Sequence, residues 1–224
     1  MTSNQGKHET APAPQQTDWI AVAVVFLSGV LAALQVGKVV IGLPALREEL
    51  GLSLGAAGWL MAMFALLGVI GGIPAGAMVK RFGDRRLLIL GALALGLGSA
   101  AGAVASSLVT LLAARLLEGA GFLLVMVAAP VVLQRLAAPR DRDLTFAIWS
   151  TFFPTGMAIA LLSGAALQGW RGFWLANALL AGLLAMLVAV TVRRGAVSAA
   201  ALSWQAMARD AGVTIRAGAP MLLA

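Results

Sequence analysis

Long apolar runs alternate with short polar ones along this chain. Six runs, at 19–43, 54–79, 87–105, 109–134, 144–167 and 173–192, carry at most two charged residues each. About 20 residues of helix cross a hydrocarbon core roughly 30 Å thick. Backbone in lipid must satisfy its own hydrogen bonds, which a helix does internally. The pattern predicts an all-α membrane protein, a six-helix transmembrane bundle over 19–192 joined by short loops. Before it, residues 1–18 are polar and rich in Pro and Gln, with no basic stretch and no small-residue cleavage site. They read as a disordered tail, not a signal peptide. After it, 193–216 reads as a cytoplasmic linker with a short amphipathic helix around 202–208. Residues 217–224 turn apolar again and stop after about two turns, too short to span. That reads as the start of a seventh helix, and the chain as a partial product. The alternative is a six-helix protein with an apolar tail.

Composition agrees with lipid. Hydrophobic residues make up 61% and charged residues 11%, where soluble domains carry about a quarter charged, and the mean hydropathy is +0.94. The charge is distributed by loop. Lys7, Lys80, Arg81, Arg85, Arg86, Arg135, Arg140, Arg142, Arg193, Arg194, Arg209 and Arg216 fall on one alternate set of loops and tails. The first loop, 44–53, holds Arg47, Glu48 and Glu49, the third is uncharged, and the fifth holds only Arg171. By the positive-inside rule the basic face, with the N-terminus, is cytoplasmic. This sidedness accounts for the sequence pI near 11.5 without nucleic acid as a partner. The chain has no Cys, and its single His, His8, lies in the tail. That leaves no core His for a metal, a haem or a Ser/His pair, and no Gly-rich phosphate loop follows a strand. No catalytic role, cofactor or metal is expected. Trp19, Trp59, Trp149, Trp170 and Trp174 lie near helix ends and read as interfacial anchors.

Glycines recur in helices two and three, with GxxxG spacing at Gly72/Gly76 and Gly98/Gly102. Small residues let helices approach closely in lipid, here within one bundle. Between these helices stands Gly76-Ala-Met-Val-Lys-Arg-Phe-Gly-Asp-Arg-Arg86. It resembles the cytoplasmic loop motif of the major facilitator superfamily, G-x-L-A-D-R-x-G-R-K/R, with Gly76, Arg81, Gly83 and Arg85 matching. Helix four carries Arg115-Leu-Leu-Glu-Gly-Ala-Gly121, and helix five carries Pro154-Thr-Gly156 with Gly164. Both are similar to motifs of that superfamily at the same places, and Gly169-Trp170-Arg171 fits before helix six. Within it, Gln35-Val-Gly-Lys38, the Arg115 to Gly121 run with Ala129-Pro130, and Pro154-Thr-Gly156 resemble bacterial cyanate/nitrate-type small-anion porters. The resemblance implies a twelve-helix porter of two six-helix halves, this chain being the N-terminal half and the C-terminal half its missing partner. It also implies alternating access around a site near the membrane midplane. The residues at Gly76, Lys80, Arg81, Gly83, Asp84 and Arg85 would form a conformational gate loop, and Pro154 with Gly156 a helix-five hinge. Lys80 stands where the family has an Asp that helps hold the cytoplasmic side closed, and cannot accept its hydrogen bonds. Asp84 is the substitute acid, or the closed state is weaker.

Four polar residues sit inside the apolar runs: Gln35 and Lys38 in helix one, Arg115 and Glu118 in helix four. A charge at a helix centre costs about 2.5–3.5 kcal/mol on insertion scales, so these should face a polar interior. Counting from the helix midpoints at 1.5 Å per residue puts Lys38 and Arg115 at one depth, roughly 10 Å towards the outside. Glu118 follows Arg115 by one turn and can neutralise either cation. Two cations against one carboxylate predict an anion-attracting, substrate-binding cavity walled by Lys38 and Arg115, with Gln35 beside them. The alternative is a structural Arg115–Glu118 pair with Lys38 snorkelling to the outer headgroups. Proton uptake by Glu118 is disfavoured by the neighbouring Arg.

The leading function is a secondary active transporter of a small anionic solute in a bacterial inner membrane. One alternative is a proton-coupled exporter of amphipathic compounds, against which Gln35 and Lys38 stand where an acid inside helix one would serve it. The other is a non-transporting accessory membrane protein.

Overall fold

The computed structural model describes residues 16–164 and 169–194 of the chain. The tail at 1–15, the linker beyond 194 with its short helix, and the apolar segment 217–224 lie outside the described residues. Within them are seven α-helices and one 3₁₀ turn: α1 Trp19–Leu50, α2 Leu54–Phe82, α3 Asp84–Ala103, α4 Leu108–Leu136, the 3₁₀ turn Pro139–Asp141, α5 Arg142–Ser150, α6 Phe152–Gly164 and α7 Trp170–Thr191. No strand occurs among the described residues. Four of these helices, α1, α3, α4 and α7, are singly long and apolar enough to cross a membrane, and α5 with α6 supply a fifth span over Pro139–Ser163. The 29-residue α2 carries no charge between 54 and 79.

Helix ends follow local chemistry. Asp18, Ser53 and Ser107 each accept a hydrogen bond from a backbone N–H in the first turn of α1, α2 and α4, the role for which short oxygen-bearing side chains suit an N-cap. Gly51 closes α1 in the left-handed region at φ 62°, a conformation that costs glycine nothing.

Two expected loops are corrected. The first loop, placed at 44–53, is helical as far as Leu50, with Pro44 inside α1, so Arg47, Glu48 and Glu49 ride on the helix. The loop between helices two and three shrinks to Gly83, whose φ of 84° turns the chain between α2 and α3. The fifth span is corrected too. Instead of one helix over 144–167, α5 ends at Ser150 and α6 begins at Phe152. Pro154 supplies the reason, since it has no N–H for the Ser150 carbonyl and its ring clashes with that group. Thr151 N–H bonds back to Ile148 O at 3.0 Å instead. Pro130, by contrast, sits within an unbroken α4.

Packing relies on small residues at crossings. α3 packs most extensively on α4 and α7, α1 on α6 and α7, and α2 on α4. A Cβ at Gly121 of α4 would lie 2.7 Å from Gly91 O of α3, and one at Gly98 would lie 2.6 Å from the Glu118 side chain. Gly156 of α6 faces α1, where a Cβ would lie 2.6 Å from Val30 O. These backbones touch because no side chain stands between them.

Candidate functional site

The four intramembrane polar residues come together in the bundle interior. Gln35 and Lys38 lie one turn apart on α1, and Arg115 and Glu118 one turn apart on α4. Lys38 Nζ donates to Glu118 Oε1 at 2.5 Å and to Ser99 Oγ of α3 at 2.8 Å. Arg115 Nη1 donates to Glu118 Oε2 at 2.5 Å and to the Gln35 backbone carbonyl at 2.8 Å. Ser99 Oγ lies 3.0 Å from both Gln35 Oε1 and Glu118 Oε1. All five residues are at most 1% exposed.

Glu118 is the hub. Each of its oxygens takes a charge-assisted hydrogen bond from a different cation, the strong class of such bonds. A buried charge is tolerated where partners satisfy it, and here one carboxylate serves two cations. Counted as ionised, Lys38, Arg115 and Glu118 leave one positive charge in excess. The Trp174 ring of α7 helps to accommodate it, with Lys38 Nζ 4.7 Å from the ring centroid, a cation–π contact strengthened by the dry surroundings. Gly42 and Gly102 make room for that ring: a Cβ at either would lie 3.0 Å or less from it.

This geometry decides some expectations and corrects others. Lys38 does not snorkel, because its side chain is wholly buried. Lys38 and Arg115 share one layer through Glu118. Their side chains are 0% and 2% exposed. Trp170 and Trp174, expected as interfacial anchors, are 5% and 0% exposed and pack edge to face, 5.4 Å between centroids. Trp19 and Trp59 are exposed at helix ends. Sequence reasoning missed Ser99 and Trp174 as members of the network. The signal for Ser99 was its place beside Gly98, since a hydroxyl in a small-residue helix can reach across a close crossing.

The expected gate residues lie at the basic end of the bundle, apart from this network. Gly76, Lys80 and Arg81 belong to the last turns of α2, Gly83 is the junction, and Asp84 and Arg85 open α3. Asp84 is 7% exposed and committed within the bundle: Oδ1 accepts from Arg85 N at 2.6 Å and Oδ2 from Arg135 Nε at 2.9 Å. Arg85 Nη2 donates to the Ala189 carbonyl of α7. Three helix ends are thereby joined. At the opposite end, Glu49 of α1 accepts from Trp170 Nε1 at 2.6 Å and Arg171 Nη2 at 2.7 Å, while Arg171 Nη1 donates to Ala103 O at 2.7 Å. Pro154 and Gly156 fall in the first turns of α6. No group of three or more His, Cys, Asp or Glu side chains that could hold a metal ion occurs among the described residues.

Known proteins share this architecture. The chain is 31% identical over 180 residues to the puromycin resistance protein pur8 of Streptomyces alboniger, covering 78% of this chain and 35% of that one. It is 30% identical over 175 residues to the 4-hydroxybenzoate transporter PcaK of Pseudomonas aeruginosa, covering 78% and 39%. It therefore spans between a third and two fifths of the length of these relatives. Among solved structures it is similar in fold to a peptide transporter, POT, in complex with sulfate, with a TM-score of 0.73 at 19% identity, covering 94% of this chain and 47% of that one. The family model of the Major Facilitator Superfamily matches residues 25–218, and the chain belongs to that superfamily of membrane transporters.

Proposed function

We propose that this chain is the N-terminal, six-span half of an alternating-access secondary transporter in a bacterial inner membrane. Its N-terminus and basic loops face the cytoplasm, and a C-terminal six-helix half completes the path. The solute is a small organic anion. The observation that carries the anionic reading is the buried network, in which Lys38 and Arg115 outnumber Glu118. An excess positive charge in a low-dielectric bundle raises the potential along the neighbouring path and favours a negative solute there. Gln35, Lys38, Arg115 and Glu118 set that charge, and in this reading they are the substrate-binding residues of this half. The relatives bear on size. A protein named for 4-hydroxybenzoate supports a carboxylate larger than the nitrate- or cyanate-sized ion that the helix-one and helix-five motifs suggest.

A proton-coupled exporter is the second reading, supported by the relative named for puromycin resistance. Against it, the network's sole carboxylate is held by two cations, which favour its ionised form, and α1 offers Gln35 in place of an acid. The test is transport by the full-length porter in proteoliposomes, with labelled 4-hydroxybenzoate, nitrate and cyanate offered for uptake and ethidium loaded for efflux. Saturable uptake of the organic anion is expected, reduced at least about tenfold by Lys38→Met, the loss of roughly 1.4 kcal/mol of binding. Ethidium efflux without anion uptake would replace this reading by the exporter one. No transport of any kind would favour an accessory role.

A further inference from the structure

The basic end of the bundle holds a cavity whose lining shares no residue with the buried network of Lys38, Arg115 and Glu118. It measures about 520 Å³ and is lined by Gln16, Thr17, Asp18, Arg135, Leu136 and Arg193, within the range of small-molecule sites. It forms where the segment entering α1 lies across the end of α4. Asp18 N–H donates to Leu136 O at 3.3 Å, Ala138 N–H donates to Thr17 Oγ1 at 2.9 Å, and Thr17 Oγ1 donates to Asp141 Oδ2 at 2.5 Å. Thr17 is thus fixed by both a donor and an acceptor, and the cavity wall is built rather than incidental.

Two arginines, Arg135 and Arg193, line it. Arg135 is oriented by Asp84, which takes its Nε, while its Nη2 finds no acceptor among the described residues. Arg193, one residue beyond Val192 at the end of α7, is exposed. Three acids lie nearby: Asp84 pairs with Arg135, Asp18 Oδ1 accepts from Ala21 N–H at the start of α1, and Asp141 Oδ2 accepts from Thr17 Oγ1 and lies 3.7 Å from Arg140 Nε. Planar guanidinium forks match the oxygens of a phosphate, as they do those of a carboxylate.

We propose that this cavity binds a phosphate group, with Arg193 and Arg135 as its cationic wall and Gln16 as a neutral donor. The phosphate belongs either to an anionic lipid headgroup of the adjoining leaflet or to a soluble molecule. The lipid source rests on the cytoplasmic orientation proposed above, because the inner leaflet is the anionic one. Binding itself does not rest on transport.

The test uses the purified 224-residue chain and reads its thermal unfolding midpoint. Inorganic phosphate is titrated against chloride at matched ionic strength, and nanodiscs of phosphatidylcholine are compared with nanodiscs containing phosphatidylglycerol. Arg193→Gln is the site variant, since Arg135 also holds Asp84, and Arg86→Gln is the control for an exposed arginine on the same rim. A rise with phosphate, weakened about tenfold in apparent affinity by Arg193→Gln and retained by Arg86→Gln, supports the site with a soluble source. A rise confined to phosphatidylglycerol with the same variant pattern supports it with a lipid source. Response to neither probe, or equal loss in both variants, overturns it, the latter because diffuse rim charge would then suffice.

Discussion

Glu118 is the residue on which the interior depends. Replacing it by Gln leaves Lys38 and Arg115 buried without a counter-charge, and breaking a buried pair in this way costs about 3–5 kcal/mol. Lys38→Met acts in the opposite sense on charge, because it leaves Arg115 and Glu118 as a neutral pair and keeps an apolar chain against Trp174. The expected order of thermal stability is therefore wild type, then Lys38→Met, then Glu118→Gln, and the double variant should recover part but not all of the Glu118 loss, since one of the two stranded cations is gone while Arg115 stays uncompensated. Fluorescence-detected thermal melts of the detergent-solubilised chain would check this. If Glu118→Gln melts with wild type, the carboxylate is not the hub. Much of this site was legible in the sequence, because charges in apolar runs are expensive enough to be noticed and helical depth places Lys38 beside Arg115. The contribution of Ser99 was not, since a serine satisfies itself readily on its own helix and only the tight α3–α4 crossing brings its hydroxyl to Glu118. Trp174 was misread for a related reason: a tryptophan near a helix end suits an interface equally well until Gly42 and Gly102 open a slot for it.

Between elements, the crossings are set by what is missing from the side chains. Gly91 and Gly121 let α3 and α4 touch backbone to backbone, and Gly98 does the same one layer along, where Glu118 must reach Lys38 and Ser99. Gly121→Val should force these helices apart, lengthen the Lys38–Glu118 bond and destabilise the bundle by about 1–3 kcal/mol, the usual cost of overpacking. Gly182→Val, at a glycine with open space around it, controls for the intrinsic effect of valine in a helix. A melt in which both variants lose equal stability would assign the effect to helix propensity and not to the crossing. The sequence reached these elements because period and length separate a membrane helix from anything else. It fell short at their ends. Pro44 lies within α1 although a proline marks a probable stop, and Gly83 alone turns a chain that the charges made look like a longer loop. The split of α5 from α6 arises from a proline whose effect falls one turn earlier in the chain, at Ser150.

At the scale of the whole molecule the two ends of the bundle differ in chemistry as well as charge. At the basic end, Asp84 joins α3 to α4, Arg85 joins α3 to α7, and Thr17 joins the entry of α1 to the α4–α5 connection. At the opposite end, Glu49 and Arg171 clamp α1, α3 and α7. Asp84 is spent inside the bundle, so an acid that reached across to a second half would have to come from elsewhere, and the exposed cations at this end, Arg81 and Arg86, suit an acidic partner surface. Which end faces the cytoplasm is open to direct measurement, because the chain contains no cysteine and any introduced thiol is unique. Single cysteines at Arg86 and Arg140, written Arg86→Cys and Arg140→Cys, should react with a membrane-impermeant maleimide only in inside-out vesicles. Val104→Cys and Gly172→Cys, at the other end, should react only in intact cells. The removal of one arginine leaves the remaining basic residues of that face in place, so the orientation that the positive charges impose should survive each substitution. The reverse labelling pattern would turn the bundle over, place the arginine-lined cavity on the outer face, and remove the inner leaflet as a source of its phosphate.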